Sequence, residues 1–397
     1  MKKILILATV GGFLEQFEKH NVSLLQADGY EVHYAANLEH MNYLYSMEQL
    51  ERRHVVMHHI DIQKSPFKLR KNNKVLKEIL KILQEEEIHL IHCHTPVGGL
   101  LGRLAAKRCR ADGWNIKVIY TAHGFHFYQG APLPASCLYY LVERWLARET
   151  DVLITINSED FQRAERWKFH DGGRAVCVPG VGLDMDYFSP VCEEEKYRKR
   201  ALLNIPEETC LFLSVGELNR NKNHLNVLRA LNKLKKEGVD LTHIHYGICG
   251  EGSYRKKLQT YVFKHHLKET VSFFGYCENI KDYLACADFS VFPSRREGLG
   301  MAALEALSMG VPVLAADNRG TREYMKNGIN GFVCSWKDVN GYKTLLQRMT
   351  DLAEEELESM KTNCRNTVNR FAWSNTEEIM RHVYERMSAS ESTYLHD

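Results

Sequence analysis

Residues 289–306 read FSVFPSRREGLGMAALEA and carry the clearest structural signal in the chain. The first four residues are an apolar run of strand type. A loop with Gly298 and Gly300 then leads into a helix-forming segment that begins at Met301. A buried parallel strand is apolar along its whole length, because helices cover both faces of its sheet. The stretch therefore predicts one strand–loop–helix step of an α/β fold.

The same alternation of apolar runs and helical patterns extends along the chain in both directions. The apolar runs are Ile4–Val10, Glu31–Ala35, Leu90–His92, Lys117–Thr121 and Val152–Ile156 in the first half, and Leu211–Val215, His243–Cys249, Val271–Phe274, Phe289–Phe292, Val311–Ala315 and Phe332–Val333 in the second. Such alternation is typical of parallel βαβ units. Because 397 residues exceed what one hydrophobic core usually organises, we predict two Rossmann-like domains.

The boundary between the two sets is predicted near Val178–Gly182, where a proline and two glycines interrupt the pattern. The charged stretch Glu193–Arg200 follows and is the candidate linker. We place the first domain at residues 1–188 and the second at 205–372. In the remaining segment, 373–397, a helical pattern over Ser374–Met387 is expected to pack back across the domains.

Composition excludes several classes of protein. The 52 basic residues nearly balance 50 acidic ones, and a formal net charge of +2 argues against a nucleic-acid partner. The 11 cysteines include no C-x-x-C pair, which favours reduced thiols over a disulfide framework. Reduced thiols in turn favour a cytoplasmic protein. The apolar run at Ile4–Val10 is short and leads into glycines, so we interpret it as a first strand and not as a signal peptide.

Two carboxylates in the opening stretch indicate a ligand site. Glu297 lies in the glycine-flanked loop, and Glu305 lies eight residues later in an otherwise apolar helical segment. A buried glutamate there would be costly without hydrogen-bond donors, which the hydroxyls of a ligand would supply. The helix start at Gly300 and Met301 would offer unpaired N–H groups and the positive end of a helix dipole, which suit a pyrophosphate.

The pattern Glu297-x7-Glu305, in this strand–loop–helix context, resembles that of family 4 retaining glycosyltransferases of the GT-B fold. The resemblance implies an α/β protein with two Rossmann-like domains facing across a cleft. It also implies that Glu297 contacts hydroxyls of the donor sugar and that Glu305 contacts the ribose of a nucleotide sugar.

Further segments of the second half resemble the same family. The segment Ser214–His224 is similar to the one that carries a phosphate-binding lysine, which implies that role for Lys222, whereas Glu217 stands where the family often has an arginine. Arg220, Arg295 or Arg296 would then supply the second cation. Gly320–Glu323 matches a segment near the donor sugar. The implied donor-binding residues are Glu305, Gly298, Gly300, Met301, Gly216, Arg295, Arg296, Gly275 and Tyr276.

The first half carries the family's histidine and glycine segments. His123 follows a predicted strand and precedes Gly124, and ligands of open parallel sheets bind beyond the carboxyl ends of strands. The resemblance implies that His123 approaches the donor sugar and belongs, with Glu297 and Lys222, to the catalytic residues. Gly11 and Gly12 match the loop that meets phosphate and acceptor. The absence of G-x-G-x-x-G argues against a nicotinamide enzyme.

No metal or other cofactor is expected. His92 and His94 lie on one face of a predicted strand, but no third ligand is close in sequence. Asp184-Met185-Asp186 fits a D-x-D metal signature, but it follows Val178–Gly182, where the resembling family has G-V-x-x-D as an ordinary landmark.

The predicted function is therefore retaining transfer of a sugar from a nucleotide sugar, expected to be UDP-linked, to a glycan or polyprenyl-diphosphate-linked acceptor. Within the family, His92–Pro96 and Gly216–Asn219 look most like the bacterial branch that makes capsular, exopolysaccharide or lipid-linked glycans. Two alternatives remain open. One is a sugar-nucleotide epimerase of the same fold. The other is a non-catalytic partner subunit, which stays open because Glu217 stands where the family often has an arginine.

A basic stretch suggests where such a protein works. Between Lys64 and Lys81 seven basic residues face one acid, Glu78, and apolar residues alternate with them. The stretch predicts either a helix with a solvated basic face or peripheral attachment to an anionic membrane surface on the cytoplasmic side.

Overall fold

The computed structural model describes residues 2–39, 52–63 and 65–389, so Lys64 lies outside the described residues. The chain divides into two compact units. The first unit comprises Met1–Gly182 with Trp373–Asp397, and the second comprises Leu183–Ala372.

The first unit is built on a parallel sheet whose described strands follow the order β3-β2-β1-β4-β5-β6-β7. The strands are β1 Lys2–Leu7, β2 Tyr30–Ala36, β3 Val56–His59, β4 Leu90–His94, β5 Lys117–Ala122, β6 Val152–Thr155 and β7 Arg174–Cys177. The α-helices are Lys19–Ala27, Leu69–Glu85, Pro96–Ala111, Leu133–Leu146, Ser158–Ala164 and Trp373–Ala389, with a π-helical turn at Leu14–Glu18. The order 3-2-1-4-5 is that of a Rossmann fold.

Apolar side chains explain how the helices pack on this sheet. Val75, Ile79 and Leu83 recur at helical spacing and are buried in one core cluster with Leu101 of the next helix. The final helix also belongs to this unit. Its Arg381 Nη1 lies 3.0 Å from Asp28 Oδ1 at the end of the helix Lys19–Ala27.

The second unit repeats this architecture with a parallel sheet in the order β10-β9-β8-β11-β12-β13. Its strands are β8 Cys210–Val215, β9 Ile244–Cys249, β10 Val271–Gly275, β11 Phe289–Phe292, β12 Val313–Ala316 and β13 Gly331–Cys334. Its α-helices are Glu193–Leu202, His224–Lys236, Arg255–Lys264, Ile280–Cys286, Met301–Ser308, Val339–Thr350 and Glu354–Val368. The predicted α/β fold with two Rossmann-like sheets is confirmed.

Three local features differ from the sequence prediction. The edge strands β3 and β7 were not predicted, because each has exposed and half-buried residues in place of a continuous apolar run. The charged stretch Glu193–Arg200 is part of a helix of the second unit and is not a linker. Arg200 is buried there, and its Nη2 lies 2.6 Å from Asp288 Oδ2.

Within the described part of the chain, no helix combines the length and the apolar character needed to cross a bilayer.

Candidate active site

The predicted helix start at Gly300 is present in the second unit. Gly300 has a φ of +96°, and the helix Met301–Ser308 begins directly after it. A Cβ at Gly300 would lie 2.7 Å from the ring of Phe292 and 3.0 Å from Tyr324 Oη, so both the backbone and the space require glycine. No side chain of the described residues caps this helix, and its first N–H groups remain suited to an anion.

Lys222 and Glu297 meet beyond the carboxyl ends of β8 and β11. Lys222 Nζ donates to Glu297 Oε1 at 2.8 Å and lies 5.2 Å from the centroid of the Phe292 ring. Asn219 Oδ1 accepts from the backbone N–H of Lys222 at 2.9 Å, which fixes the loop that carries the lysine. Both side chains of the pair are partly buried. The sequence placed these residues 75 positions apart, and the fold brings them into one ion pair.

Arginines flank this pair. Arg295 lies with its guanidinium 4.7 Å from the centroid of the Trp336 ring, and burial lowers its pKa. The carbonyl of Arg296 accepts from Asn221 Nδ2 at 2.9 Å. Arg319, which the sequence analysis did not single out, is buried and donates from Nε to the carbonyl of Glu297 at 3.2 Å. Its one sequence signal is its place directly before Gly320.

Glu305 lies on the helix that begins at Met301. It is half-buried between the buried residues Leu304 and Ala306, so the fully buried glutamate expected from the apolar pattern is not found. Burial is the main cause of the raised pKa of Tyr187, and the negative charges of Asp282, Glu305 and Asp184 raise it further.

The other predicted donor-binding residues lie on loops at the carboxyl ends of strands in the same sheet. Gly216 follows β8, and a Cβ there would lie 3.2 Å from Lys222 Cε. Gly275 ends β10 with a φ of +74°, and the next residue, Tyr276, is exposed. Gly298 precedes the helix start by two residues. Glu217, at the position where the family often has arginine, is exposed.

In the first unit, the half-buried His123 belongs to a cluster of polar side chains whose other members are buried. His123 Nε2 lies 3.2 Å from His94 Nδ1, which lies 3.5 Å from Glu18 Oε1. His92 Nε2 lies 2.8 Å from Thr121 Oγ1, and its Nδ1 lies 3.0 Å from Tyr384 Oη. The cluster therefore joins the ends of β4 and β5 to the π-helical turn Leu14–Glu18.

Burial keeps this cluster uncharged near neutral pH. It raises the pKa of Glu18 to about 8 and lowers the pKa of His123 to about 4 and that of His92 to about 3. The pKa of His94 also lies well below its usual value for the same reason. His123 is thus a neutral imidazole at pH 7.

The cluster brings together three side chains that could bind a metal ion in this unit. The sequence offered no third ligand beside His92 and His94, yet ligand atoms of Glu18, His94 and His123 lie within 4.8 Å of one another. Glu18 was missed because it is 76 residues before His94 and belongs to no recognised motif. The expectation that the reaction needs no metal stays a prediction.

We expect the Glu18→Gln variant to be more stable than the wild type at pH 8 and to lose this advantage toward pH 5. The raised pKa of Glu18 means that the folded state binds a proton that the unfolded state releases above about pH 4.5. The contribution of Glu18 to the free energy of unfolding therefore falls as pH rises from about 4.5 to 8, by up to about 1.4 kcal/mol per pH unit. Urea unfolding at pH 5, 6.5 and 8 measures the difference. A pH-independent difference would contradict the buried, protonated carboxyl.

Gly11 and Gly12 follow β1 and are buried. The N–H of Gly11 donates to the carbonyl of Asn37 at 3.1 Å, and Tyr34 Oη donates to the carbonyl of Gly11 at 3.1 Å. These bonds hold the loop at the carboxyl edge of the sheet, beside the turn that carries Glu18.

Two Rossmann-like units, with an ion pair and an uncapped helix start at the carboxyl edge of the second sheet, form the arrangement expected of a glycosyltransferase of the GT-B fold. Residues 195–367 match the family of glycosyl transferases group 1, and residues 19–184 match glycosyltransferase family 4. The chain is 37% identical over 383 residues to EpsD of Bacillus subtilis (strain 168), a protein named as a glycosyltransferase, and covers 96% of both chains. The chain belongs to this glycosyltransferase family.

Other relatives agree with this assignment. An Escherichia coli protein, named UDP-Gal:alpha-D-GlcNAc-diphosphoundecaprenol alpha-1,3-galactosyltransferase, is 28% identical over 75% of each chain. Sucrose-phosphate synthase from Thermosynechococcus elongatus shares the fold with a TM-score of 0.79 at 20% identity, covering 98% of this chain and all of that one. Anabaena HepE in complex with UDP-glucose has a TM-score of 0.76 at 16% identity over 97% of this chain and 100% of its own.

Proposed function

We propose that this glycosyltransferase moves a sugar from a UDP-sugar to a sugar on a polyprenyl diphosphate, with retention at the anomeric carbon and without a divalent metal. The observation that carries the proposal is the contact of Lys222 with Glu297, beyond the carboxyl ends of β8 and β11. It puts a cation and a carboxylate where an open α/β sheet binds its ligands.

In this proposal the second unit binds the donor. Sugar transfer develops negative charge on the leaving diphosphate, and groups aimed at developing charge give the largest catalytic gain. Lys222 supplies a point charge, and the helix start at Gly300 supplies N–H groups and a dipole end. Arg319, which donates to the carbonyl of Glu297, and Arg295, two residues before Glu297 in the same loop, are further cations, which is why no divalent ion is invoked.

The two glutamates then hold the donor by its hydroxyl groups, Glu297 on the sugar and Glu305 on the ribose. Because Lys222 pairs with Glu297, we assign this carboxylate a binding role and not that of a nucleophile. Retention would arise from attack on the face of the departing diphosphate, whose oxygen takes the acceptor proton.

The UDP donor and the lipid-linked acceptor rest on relatives. The name of the Escherichia coli relative specifies UDP-galactose and a sugar on diphosphoundecaprenol, and the HepE complex contains UDP-glucose.

A transfer assay tests the proposal. The full chain is incubated with each radiolabelled UDP-sugar and with GlcNAc-diphosphoundecaprenol or its hexose analogues, with and without EDTA, and product linkage is assigned by NMR. We expect an α-linked product from an α-linked donor in EDTA. A new sugar nucleotide formed without acceptor would favour an epimerase, and UDP binding without turnover of any donor would favour a non-catalytic subunit.

We expect Glu305→Ala to raise the donor KM by roughly 10–100-fold with a smaller change in kcat. Loss of a hydrogen bond to a charged group is worth about 1.5–3 kcal/mol, and a ribose contact acts equally before and during transfer. Glu358→Ala, which removes an exposed helical glutamate of the same unit, is the control. Unchanged donor KM in Glu305→Ala would remove Glu305 from the site.

A surface of the first unit fits peripheral membrane attachment. The helix Leu69–Glu85 and the residue before it expose their basic side chains, which are Lys68, Arg70, Lys71, Lys74, Lys77 and Lys81. Phe67 and Leu69 are more than two-thirds exposed at its start. On the helix Leu133–Leu146, Leu138, Leu141 and Trp145 are also exposed. The helix Pro96–Ala111 contacts both, so basic and apolar residues share one face of the unit.

We expect the protein to co-sediment with vesicles that contain anionic lipid and to be released as salt rises. Each basic residue near such a surface contributes up to about 1 kcal/mol within a Debye length. Replacing Lys68, Arg70, Lys71 and Lys74 with serine should abolish most binding. The matched control removes four exposed lysines of the second unit, Lys256, Lys257, Lys264 and Lys268. Equal loss in both variants, or no wild-type binding at low salt, would contradict this surface.

A further inference from the structure

Two cysteines of the second unit meet where β9 and β10 end. Cys249 is the last residue of β9, and Cys277 follows β10 by two residues. The strands pair in parallel, with Cys249 opposite Gly275. The carbonyl of Gly275 accepts from the N–H of Gly250 at 2.5 Å and from the Cys277 thiol at 3.5 Å. Both cysteines are therefore held around one carbonyl group at the carboxyl edge of the sheet.

The two thiols are in contact with each other. The Cys249 thiol hydrogen-bonds to the sulfur of Cys277, and the side chain of Tyr283 bonds to the same sulfur. The Tyr283 ring is held by Phe274, whose ring centroid lies 5.1 Å away. Cys249 is buried and Cys277 is half-buried, so a reagent in solvent reaches Cys277 first. An accessible thiol with a second thiol behind it is the arrangement found in redox-sensing cysteine pairs.

The contact changes the acidity of the two thiols in opposite directions. The hydrogen bond from Cys249 is the largest cause that lowers the pKa of Cys277, to about 7, and Tyr283 lowers it further. The same hydrogen bond, together with burial, raises the pKa of Cys249 far above its usual value. Because a thiolate and not a thiol attacks an oxidant, Cys277 is the reactive member of the pair near neutral pH.

The pair lies beside the segment predicted to bind the nucleotide base. Tyr276, which directly precedes Cys277, is exposed, and Gly275 has a φ of +74°. A covalent bond brings two sulfur atoms closer together than a hydrogen bond does. A bond between Cys249 and Cys277 would therefore draw residues 275–277 toward β9 and move Tyr276 with them.

We propose that Cys249 and Cys277 form a reversible disulfide on reaction with a peroxide, and that this bond weakens binding of the nucleotide sugar. The effect on the donor rests on the proposed function, whereas formation of the disulfide does not.

The reaction consumes one molecule of hydrogen peroxide per disulfide. The Cys277 thiolate attacks one peroxide oxygen, the O–O bond breaks and hydroxide leaves, which converts Cys277 to a sulfenic acid. The sulfur of Cys249 then attacks the sulfur of Cys277, and the S–O bond breaks. The departing hydroxyl takes the proton of the Cys249 thiol and leaves as water. The two thiols thus lose two electrons to the peroxide, and a dithiol reductant returns them by thiol–disulfide exchange.

Mass spectrometry of the oxidised full chain tests the disulfide directly. The protein is treated with hydrogen peroxide at pH 7, free thiols are blocked with iodoacetamide, and peptides are analysed without reduction. We expect a cross-linked pair of peptides that contains Cys249 and Cys277 and disappears after dithiothreitol. In Cys249→Ser, dimedone should instead trap the sulfenic acid of Cys277.

The exposed Cys137 of the first unit provides the control. Cys137→Ser should form the Cys249–Cys277 cross-link to the same extent as the wild type. Oxidation of Cys137 in a wild-type sample that contains no Cys249–Cys277 cross-link would overturn the proposal.

Calorimetric titration with UDP measures the effect on the donor site. The Kd for UDP should rise at least fivefold in the oxidised wild type and return to its starting value after dithiothreitol, whereas peroxide should not change it in Cys277→Ser. An unchanged Kd in protein that carries the disulfide would overturn the regulatory part of the proposal. If the reduced protein binds no nucleoside diphosphate, the proposed function fails, and the cross-linked peptides still decide whether the disulfide forms.

Discussion

Replacing Glu297 by alanine is expected to lower kcat/KM for sugar transfer by about 10²–10³-fold without changing the fold, the scale seen when one group that stabilises a transition state is removed. The carboxylate is partly exposed and pairs with Lys222 at 2.8 Å, so it contributes little to core packing. Its loss would remove the proposed contact to the donor sugar and free Lys222 to move. Initial rates and thermal unfolding measured on the same preparation check both parts.

A matched control and a double variant test the expectation for Glu297→Ala further. Glu208→Ala removes an exposed loop glutamate at the opposite edge of the second sheet and should leave the rate within about twofold. Lys222→Met should also be severely impaired. The double variant should lose much less than the sum of the two single losses, because contacting residues couple. Wild-type turnover in Glu297→Ala would remove this residue from the site.

Local features of the donor side could be predicted from sequence. Glu297, Gly300 and Met301 lie within five residues, and the strand–loop–helix pattern fixes their relation to the sheet. The resemblance implied separate roles for Lys222 and Glu297 in one donor site, but their contact was not predicted, because no local rule joins two loops so far apart. Central strands were found for a similar reason, because burial on both faces makes them continuously apolar, which the edge strands β3 and β7 are not.

The features that were not predicted depend on contacts between residues that are far apart in the sequence. Glu18 reaches His94 only through the π-helical turn after β1, and Arg319 reaches the backbone of Glu297 through a loop after β12. Cys249 and Cys277 likewise meet only because β9 and β10 are neighbours in the sheet.

The second large effect is expected at His123. His123→Ala should lower kcat by about 10²-fold, while the Kd for UDP changes by no more than about twofold. The histidine belongs to the first unit and the proposed nucleotide site to the second, so loss of the ring should affect the transfer step and not UDP binding. Single-turnover rates and calorimetric titration with UDP separate the two quantities. Equal loss of UDP affinity would contradict this division.

The pH dependence gives an independent test of how His123 acts. Burial lowers its pKa to about 4, so the ring is neutral throughout pH 6–8 and is protonated only below about pH 4. The kcat of the wild type should therefore show no ionisation of His123 between pH 6 and pH 8, and the profile of His123→Asn should run parallel at a lower level. His89→Ala, which removes a histidine just before β4 at the opposite edge of the same sheet, should retain wild-type kcat. A wild-type inflection near pH 6.5 that disappears in His123→Asn would mean that His123 ionises in its ordinary range, and the neutral imidazole would have to be abandoned.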